Sequence, residues 1–250
     1  MSVGVVGGPH HFKWRSYLWL VASTIVLTIV IAEISVSQVS LAVPGRGLIG
    51  EIAAATLDTL RRLLAGLFVG ITAGSLLGTA MGAVPILDRL LSPPIHALRQ
   101  VPLFGWIPLI GLWAGLGEPS KVTFVALAVA YVMVLSAHEA IRSISPRLTE
   151  VSRALGLDPL TKLRVLVIPS VTPALLAGVR IALAAGWSAV VGAEILMAAA
   201  PKLGALIWGA REVGRPEIVV AGSVVVGVLG ALSNAGLRSF EQRVLHRYYR

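Results

Sequence analysis

Long runs of apolar residues, each close to the length that crosses a lipid bilayer, dominate the chain. A transmembrane helix needs about 20 predominantly apolar residues. On that basis we predict six spans, at 17–36, 60–84, 103–116, 122–137, 173–199 and 218–237. The third and fourth are short and are joined by a turn at 115–120. The pattern predicts an all-α integral membrane protein with six transmembrane helices.

The composition agrees with a membrane protein and excludes several other classes. Of the 250 residues 56% are hydrophobic and 13% are charged, whereas a soluble domain carries about 25% charged residues. The absence of cysteine excludes disulfides, thiolate catalysis and Cys-ligated metals. No His-x-x-x-His pattern occurs, so we expect neither a metal site nor catalytic residues.

The net charge of +9 suggests nucleic acid in a soluble protein, but no aromatic-rich basic motif accompanies it and we expect no nucleic-acid partner. With the N-terminus inside, thirteen of the 21 basic residues fall in cytoplasmic segments and seven in outer ones. Because Lys and Arg concentrate on the cytoplasmic side, this bias predicts a multi-pass protein of the inner or plasma membrane with both termini cytoplasmic.

The predicted organisation has five parts. A cytoplasmic tail (1–16) precedes the first span (17–36), and a core of five spans (59–237) contains a cytoplasmic loop (138–172). A basic tail (238–250) follows, with the pattern of an amphipathic segment on anionic lipid. A cleaved signal peptide is the alternative for the first span, whose apolar run is long for a signal segment of about 7–15 residues.

Glycines recur every fourth residue along the second span. Small residues at this spacing let another helix backbone approach closely. They serve tight packing or a sliding, gating seam, within one subunit or across a pair. The stripe consists of Gly66, Gly70, Gly74, Gly78 and Gly82.

The loop 138–172 carries signals of ordered structure. Ser145-Pro146 is typical of an N-cap followed by proline at the first helical position, and Gly156 ends a short helix as a C′ residue. Asp158-Pro159 repeats the start signal, and we predict a second helix that stops before Pro169. A connection with this much order indicates a docking surface.

The same loop resembles the "EAA" signature of ABC importer permeases, a Glu-Ala-Ala triplet with a glycine three residues further and an Ile-x-Leu-Pro ending. Glu150, Gly156 and Pro169 stand at the expected spacing, while Val151 and Ser152 replace the two alanines. The resemblance extends over roughly 59–247. The segment 107–121 is similar to one in the nitrate, sulfonate, taurine and bicarbonate permeases, and 178–184 with Ala193-Glu194 is similar to the fifth-span pattern.

The resemblance implies a type I ABC importer permease, which is not an enzyme. Two permease subunits, as a homodimer or a heterodimer, would form the pathway, with two ATP-binding subunits and an extracytoplasmic binding protein as partners. ATP and Mg would bind to the partner subunit, because this chain has no Gly-x-x-x-x-Gly-Lys-Ser/Thr loop. The coupling residues it implies are Arg147, Thr149, Glu150, Val151, Ser152, Ala154, Leu155, Gly156 and Pro169.

Charged residues inside the predicted spans are candidates for the pathway or its gate, because they are costly in lipid and usually face a cavity or a partner. Arg180 and Glu194 lie in the fifth span with Trp187 between them. Structural ion pairing is the alternative for both charges. A secondary transporter or channel working without ATP, or a membrane scaffold, remains the competing function. The resembled subfamily favours a small anionic solute.

Overall fold

The computed structural model describes residues 48–115, 117–197 and 202–248, which are helical apart from short connections. The predicted first span (17–36) lies outside the described residues. The helices are α1 (Leu48–Ala83), α2 (Pro85–Gln100), α3 (Ile107–Ala114, preceded by the 3-10 turn Leu103–Trp106), α4 (Glu118–Arg142), α5 (Pro146–Ala154), α6 (Pro159–Leu196), α7 (Leu203–Glu212) and α8 (Pro216–Tyr248). Four of them, α1, α4, α6 and α8, are long and apolar enough to cross a membrane.

Helices α1 and α4 pack side by side and run in the same direction. Gly66 lies against Val125, and Gly82 lies against Ile141, so residue numbers rise together along both helices. The C-terminal ends of α1 and α4 lie at the same end of the bundle. The segment between the two helices must therefore lead back along them to the start of α4, over about 30 Å at 1.5 Å per helical residue. Helices α2 and α3 make this return, which is the path that the predicted third span requires.

Helix α6 runs antiparallel to α4, since Gly178 lies beside Ser136 and Gly186 beside Val129. Helix α8 is antiparallel to α6 in turn, because Trp187 bonds Ser233 and Arg180 pairs with Glu241. The core lies where α1, α4 and α6 meet. Its fully buried members include Leu63, Phe124, Val129, Met133 and Val190.

The bundle has two ends, which we name by their residues. The ionic end holds Arg62, Glu118 and Glu194, together with the start of α7. The loop end holds the end of α4, helix α5 and the turn at Gly156. Glu194 lies at the ionic end of α6, whereas Arg180 lies near the middle of that helix.

Several helices extend beyond the predicted spans. Helix α1 is already helical at Leu48, ahead of the predicted start at 60, and α8 continues to Tyr248 with no break at 237. Residues 238–248 of the predicted basic tail are therefore helical. The third span is a short apolar helix, Leu103–Ala114. Helices α2 and α7 were not predicted.

The predicted helix end before Pro169 is also wrong, because α6 runs through both Pro169 and Pro173. A proline inside an α-helix lacks an N–H and clashes with the preceding turn. Here the stretch Leu163–Val167 just before Pro169 is π-helical. This wider turn accommodates the ring, so the helix continues.

Candidate functional site

Helix α5 is a short, largely exposed helix at the loop end. Ser145 occupies its N-cap position and Pro146 its first helical position, but the Ser145 side chain makes no capping hydrogen bond. The Ser145 carbonyl accepts the first helical hydrogen bonds, from Leu148 N and Thr149 N. Ser152 is buried and its hydroxyl donates to the Thr149 carbonyl at 2.7 Å. The other candidate coupling residues of this helix, Arg147, Glu150, Val151 and Ala154, are exposed.

The end of α5 is a complete Schellman motif. Gly156 N donates to the Arg153 carbonyl at 3.0 Å, and Leu157 N donates to the Ser152 carbonyl at 3.1 Å. Gly156 has φ of +60°, which confirms the left-handed conformation predicted for it. The next helix starts two residues later, where the Asp158 carboxylate accepts the Thr161 amide at 3.1 Å. The orientation of α5 relative to α6 is therefore fixed by local hydrogen bonds.

Glu194 lies at the centre of a buried hydrogen-bond network at the ionic end. Its carboxylate accepts from the Thr59 hydroxyl at 2.7 Å and from the Gly204 amide at 2.9 Å, and it forms an ion pair with Arg62. Glu194 is 1% exposed and Arg62 is 3% exposed. The network joins α1, the end of α6 and the start of α7.

Arg62 also connects this network to a more open region. Its Nε donates to Glu118 at 3.0 Å, and the Glu118 side chain is 58% exposed. Lys121, fully buried, lies 3.7 Å from the same carboxylate. A cleft of about 330 Å³ opens beside them, lined by Asp58, Arg61, Arg62, Ala65, Glu118, Val122 and Lys202. Lys202 pairs with Asp58 across it.

The other two pathway candidates connect α6 to α8. Arg180 forms an ion pair with Glu241, and the Trp187 indole N–H donates to the Ser233 hydroxyl at 2.9 Å. Trp187 is buried, while the Arg180 side chain is 37% exposed. The structure therefore separates the three candidates into two places, Glu194 at the ionic end and Arg180 with Trp187 on the α8 side.

The glycine stripe faces α4 of the same chain. A Cβ added at any of the five positions would be 3.0 Å or less from an α4 atom, for example 2.7 Å from Met133 Cβ at Gly74 and 2.6 Å from the Ala126 carbonyl oxygen at Gly70. Arg62 stands four residues before Gly66, in register with the stripe. The two helix backbones approach as closely as they do because the stripe has no side chains.

A second polar cluster fixes α2 at the loop end. Asp88 accepts from Ser92 at 2.6 Å, from His138 Nε2 at 2.9 Å and from Arg142 at 2.9 Å. The hydrogen bond from Ser92 holds the pKa of the Asp88 carboxyl below its usual range, and the charges of His138 and Arg142 act in the same direction.

The sequence did not indicate that Arg62, Thr59 and Glu118 share a site with Glu194. By sequence alone, Arg62 belongs to the seven basic residues assigned to the outer segments, and Glu118 belongs to the turn at 115–120. The register of Arg62 with the glycine stripe was the available signal, because it places the guanidinium on the face that packs against α4. Within the described ranges, no group of three or more His, Cys, Asp or Glu side chains could hold a metal ion.

Comparison with known structures shows the class of fold. A chain of the MetNI methionine ABC transporter, solved in inward-facing conformations, superimposes with a TM-score of 0.64 at 19% sequence identity, covering 80% of this chain and 97% of that one. The bundle therefore has the fold of a type I ABC importer permease.

The sequence comparisons show the family. Residues 66–246 match the family model described as "Binding-protein-dependent transport system inner membrane component", and the chain belongs to this family. The taurine transport system permease TauC of Escherichia coli is 33% identical over 186 residues, covering 74% of this chain and 67% of TauC. The putative aliphatic sulfonates permease SsuC of Bacillus subtilis is 28% identical over 247 residues, covering 95% of this chain and 89% of SsuC.

These findings establish the general function. The chain is the membrane-spanning permease subunit of an ATP-driven ABC importer, which takes the place of the alternative of a secondary transporter or channel working without ATP. As a member of this family it works with ATP-binding subunits and a substrate-binding protein.

Proposed function

We propose that this permease imports a small anionic solute, forms the pathway with a second permease subunit, and receives the motion of the ATP-binding subunits through α5. The observation that carries the coupling role is the exposed helix at the loop end, whose C-terminal end is fixed by a complete Schellman motif. That motif fixes the angle between α5 and α6, and a rigid connection of this kind transmits a displacement of the partner subunit to the bundle as rigid-body motion.

The exposed surface of α5 supports a docking role. Leu148, Val151 and Leu155 are 46%, 49% and 69% exposed, and at spacings of three and four they share one side of the helix. A helix-in-groove contact uses an apolar stripe of this spacing. Arg147 and Glu150 flank it with charge. We place ATP and Mg in the partner subunit, whose groove would receive the stripe.

The direction of the chain in the membrane follows from the same proposal. With α5 in the cytoplasm, the loop end is cytoplasmic and the ionic end faces outward. The excess of basic residues in the segments then assigned to the cytoplasm supports this orientation. The parallel packing of α1 and α4 supports a crossing at 103–116, giving six spans with both termini cytoplasmic.

Three curated relatives support an anionic substrate. The names of TauC and SsuC specify taurine and aliphatic sulfonates. The bicarbonate permease CmpB of Synechocystis is 25% identical over 189 residues, covering 76% of this chain and 68% of CmpB. Each named solute is a small molecule with an anionic group. Delivery would come from an extracytoplasmic binding protein.

The assembly that we propose is a homodimer of this chain with two ATP-binding subunits. A two-fold pair would present two copies of α5, one to each ATP-binding subunit.

One preparation tests the assembly and the substrate separately. The tagged chain, purified from the membranes of its source organism, is expected to co-purify with an ATP-binding subunit, and native mass spectrometry should show two copies of the chain. Purification as a lone copy would contradict the assembly, and a second, different permease would contradict the homodimer. Uptake is then measured with taurine, alkanesulfonates, bicarbonate and nitrate; transport of only neutral or cationic solutes would contradict the substrate class.

Replacing Gly156 tests the coupling role. A β-branched residue in the left-handed region is strained by roughly 1–2 kcal/mol, and no atom lies within 4 Å of the added Cβ, so the effect of Gly156→Val comes from the backbone. We expect the assembled complex to lose most of the stimulation of its ATPase by substrate-loaded binding protein, with basal hydrolysis retained.

Gly156→Asn is the matched control, because asparagine tolerates the left-handed conformation better than other residues with a Cβ. It should retain most of the coupling. Equal, undiminished stimulation in the valine variant would show that the Gly156 turn does not position α5 for coupling.

A further inference from the structure

Helix α2 runs back along α4, from the loop end toward the ionic end. Asp88 near its start is bonded to His138 and Arg142, whereas the Phe104 ring just beyond its end lies 5.9 Å from the Phe124 ring. His138 and Phe124 are fourteen residues apart in α4, a distance of about 21 Å at 1.5 Å per residue. Helix α2 therefore makes the larger part of the return crossing, antiparallel to α4 and within the depth of the bilayer.

One side of this crossing helix is polar and exposed. Successive residues of an α-helix are about 100° apart, which places Arg89, His96 and Gln100 within about 40° of one another. Arg99 lies at the edge of the same side, and all four residues are exposed. The side that faces the bundle is a different one, because Asp88 lies about 80° from His96. The polar side therefore does not belong to the contact that attaches α2 to α4.

The depth of this polar side is the unusual feature. His96 and Arg99 lie about 12 and 16 Å beyond Asp88 along the helix axis. Because α2 is antiparallel to α4, both are level with the middle of the apolar stretch 122–137 of α4. Charged groups at this depth are costly in lipid and usually face the bundle interior, a partner or a water-filled cavity. An exposed guanidinium here is consistent with an aqueous surface and inconsistent with acyl chains.

The prolines of α2 point to water at the same level. Pro93 and Pro94 lie inside the helix, and proline has no N–H to donate to the carbonyl four residues earlier. The carbonyls of Arg89 and Leu90 therefore lose their usual donors. Backbone groups of this kind are tolerated at membrane depth where they are buried in protein or line a water-filled cavity. In a permease that cavity is the translocation pathway.

The pathway candidates in α6 are less suited to binding a solute. Arg180 is paired with Glu241, and Glu194 is paired with Arg62, so the charge of each is already neutralised. Within the part of the chain that the structure describes, the side chains on the polar side of α2 have no ion-pair or hydrogen-bond partner. Asp88 is the one acid of α2, and His138 and Arg142 engage it. The polar side thus keeps its positive charge.

His96, Arg99 and Gln100 can act on one ligand. At spacings of three and four residues, His96 is a neighbour of both others on the helix surface, with about 5–6 Å between Cβ atoms. A guanidinium presents paired N–H donors that match the oxygens of an oxyanion. The imidazole and the amide each supply a further N–H donor. The three side chains together fit an anionic group a few ångströms wide.

We propose that His96, Arg99 and Gln100 form a binding subsite for the anionic group of the solute, halfway along the translocation pathway. Arg89 provides a second cation about 15 Å nearer the loop end, where a released anion would next meet positive charge. The anionic class of the ligand rests on the proposed function. The exposure of this side of α2 to water does not, and the test separates the two.

Because the chain has no cysteine, single thiols can probe both sides of α2 in the purified complex in nanodiscs. Gln100→Cys reports the polar side, and Leu98→Cys is the control at the same depth on the opposite side. The probes are two water-soluble methanethiosulfonates, one with an anionic sulfonate and one with a cationic trimethylammonium group. We expect position 100 to react, about tenfold faster with the anionic probe once the rates are corrected for a free thiol, since charge-lined clefts enhance association this much or more. Position 98 should react with neither.

Variants at Arg99 test the source of the anionic preference. In the Gln100→Cys background, Arg99→Gln should lower the preference roughly threefold or more, because one charge within several ångströms acts oppositely on the two probes. Arg99→Lys keeps the charge and should keep most of the preference. Arg243→Gln, which removes an exposed charge of α8, is the matched control and should leave it unchanged. Retained basal ATP hydrolysis shows that each variant complex is assembled.

Three results would overturn the subsite. A thiol at position 100 that reacts with neither probe, with or without ATP, would show that protein covers the polar side. Equal reaction at positions 98 and 100 would show that α2 has no distinct aqueous side. Reaction at position 100 without an anionic preference, or with a preference that survives Arg99→Gln, would remove the anion binding. None of these results depends on which solute is imported, so a failure of the anionic substrate class in uptake assays is recognised separately.

Discussion

Glu194→Ala is expected to destabilise the permease by about 3–5 kcal/mol, the usual cost of breaking a buried ion pair. The substitution removes the acceptor of the Gly204 amide and the buried partner of the Arg62 guanidinium, while the Thr59 hydroxyl keeps the Ala55 carbonyl at 3.0 Å. Arg62 would keep Glu118 as a partner. Glu118 is largely exposed to solvent, however, so this pair compensates less of the cost of burying the Arg62 charge. The loss should appear as a lower Tm of the purified chain and a smaller monodisperse fraction after heating.

A graded series separates charge from hydrogen bonding. Glu194→Gln keeps an acceptor for Thr59 and loses the ion pair, so its Tm should lie between the parent and the alanine variant. Combining Glu194→Leu with Arg62→Met removes both charges, and replacement of a buried pair by apolar residues is often neutral. The double variant should therefore be more stable than either single substitution.

The control is the Lys202–Asp58 pair on the neighbouring cleft, whose Asp58 is 39% exposed. Partly exposed pairs contribute about 0–1 kcal/mol, so Asp58→Asn should change the Tm little. If Glu194→Ala behaved like Asp58→Asn, the buried network would not be a structural element of the bundle. A stable Glu194→Gln variant that transports poorly would instead support the role of Glu194 in the pathway or gate.

Features that depend on adjacent residues could be predicted from the sequence. The start signals at Ser145-Pro146 and Asp158-Pro159 and the end signal at Gly156 each involve a few neighbouring residues, and the structure has helix boundaries at all three. The lengths of the apolar runs located the four long spans, because a run is also a property of neighbouring residues. The helices extend beyond those runs, because polar residues continue a helix readily.

Features that depend on distant residues could not be predicted. The period of four in the glycines indicated close packing, but only the fold shows that α4 of the same chain is the partner. Arg62 and Glu194 are 132 residues apart, and nothing in either local sequence relates them. Pro169 was predicted to end a helix by its usual local effect, whereas a π-helical turn upstream removes the conflict.

Gly78→Ala is the second substitution for which we expect a large effect, because a single methyl group would overlap the main chain of α4. The added Cβ would collide with the Val134 carbonyl oxygen and would lie 2.9 Å from Ala137 Cβ. Backbone cannot move aside as a flexible side chain does, so α1 and α4 must separate. Overpacking of a close interface costs about 1–3 kcal/mol, and every contact along the stripe weakens as the helices part.

A Gly→Ala substitution is expected to leave the Tm unchanged or raise it where no neighbouring atom would meet the added methyl group. Gly236 lies in α8 with no atom within 4 Å of an added Cβ. Alanine favours a helix over glycine by about 1 kcal/mol, so Gly236→Ala should leave the Tm unchanged or raise it. The two variants make the same chemical change within spanning helices, and the difference between their Tm values measures the close approach of α1 and α4. Gly78→Ala with a parental Tm would show that the stripe is not a tight helix contact, and a seam that slides during transport would then be the better interpretation of its period.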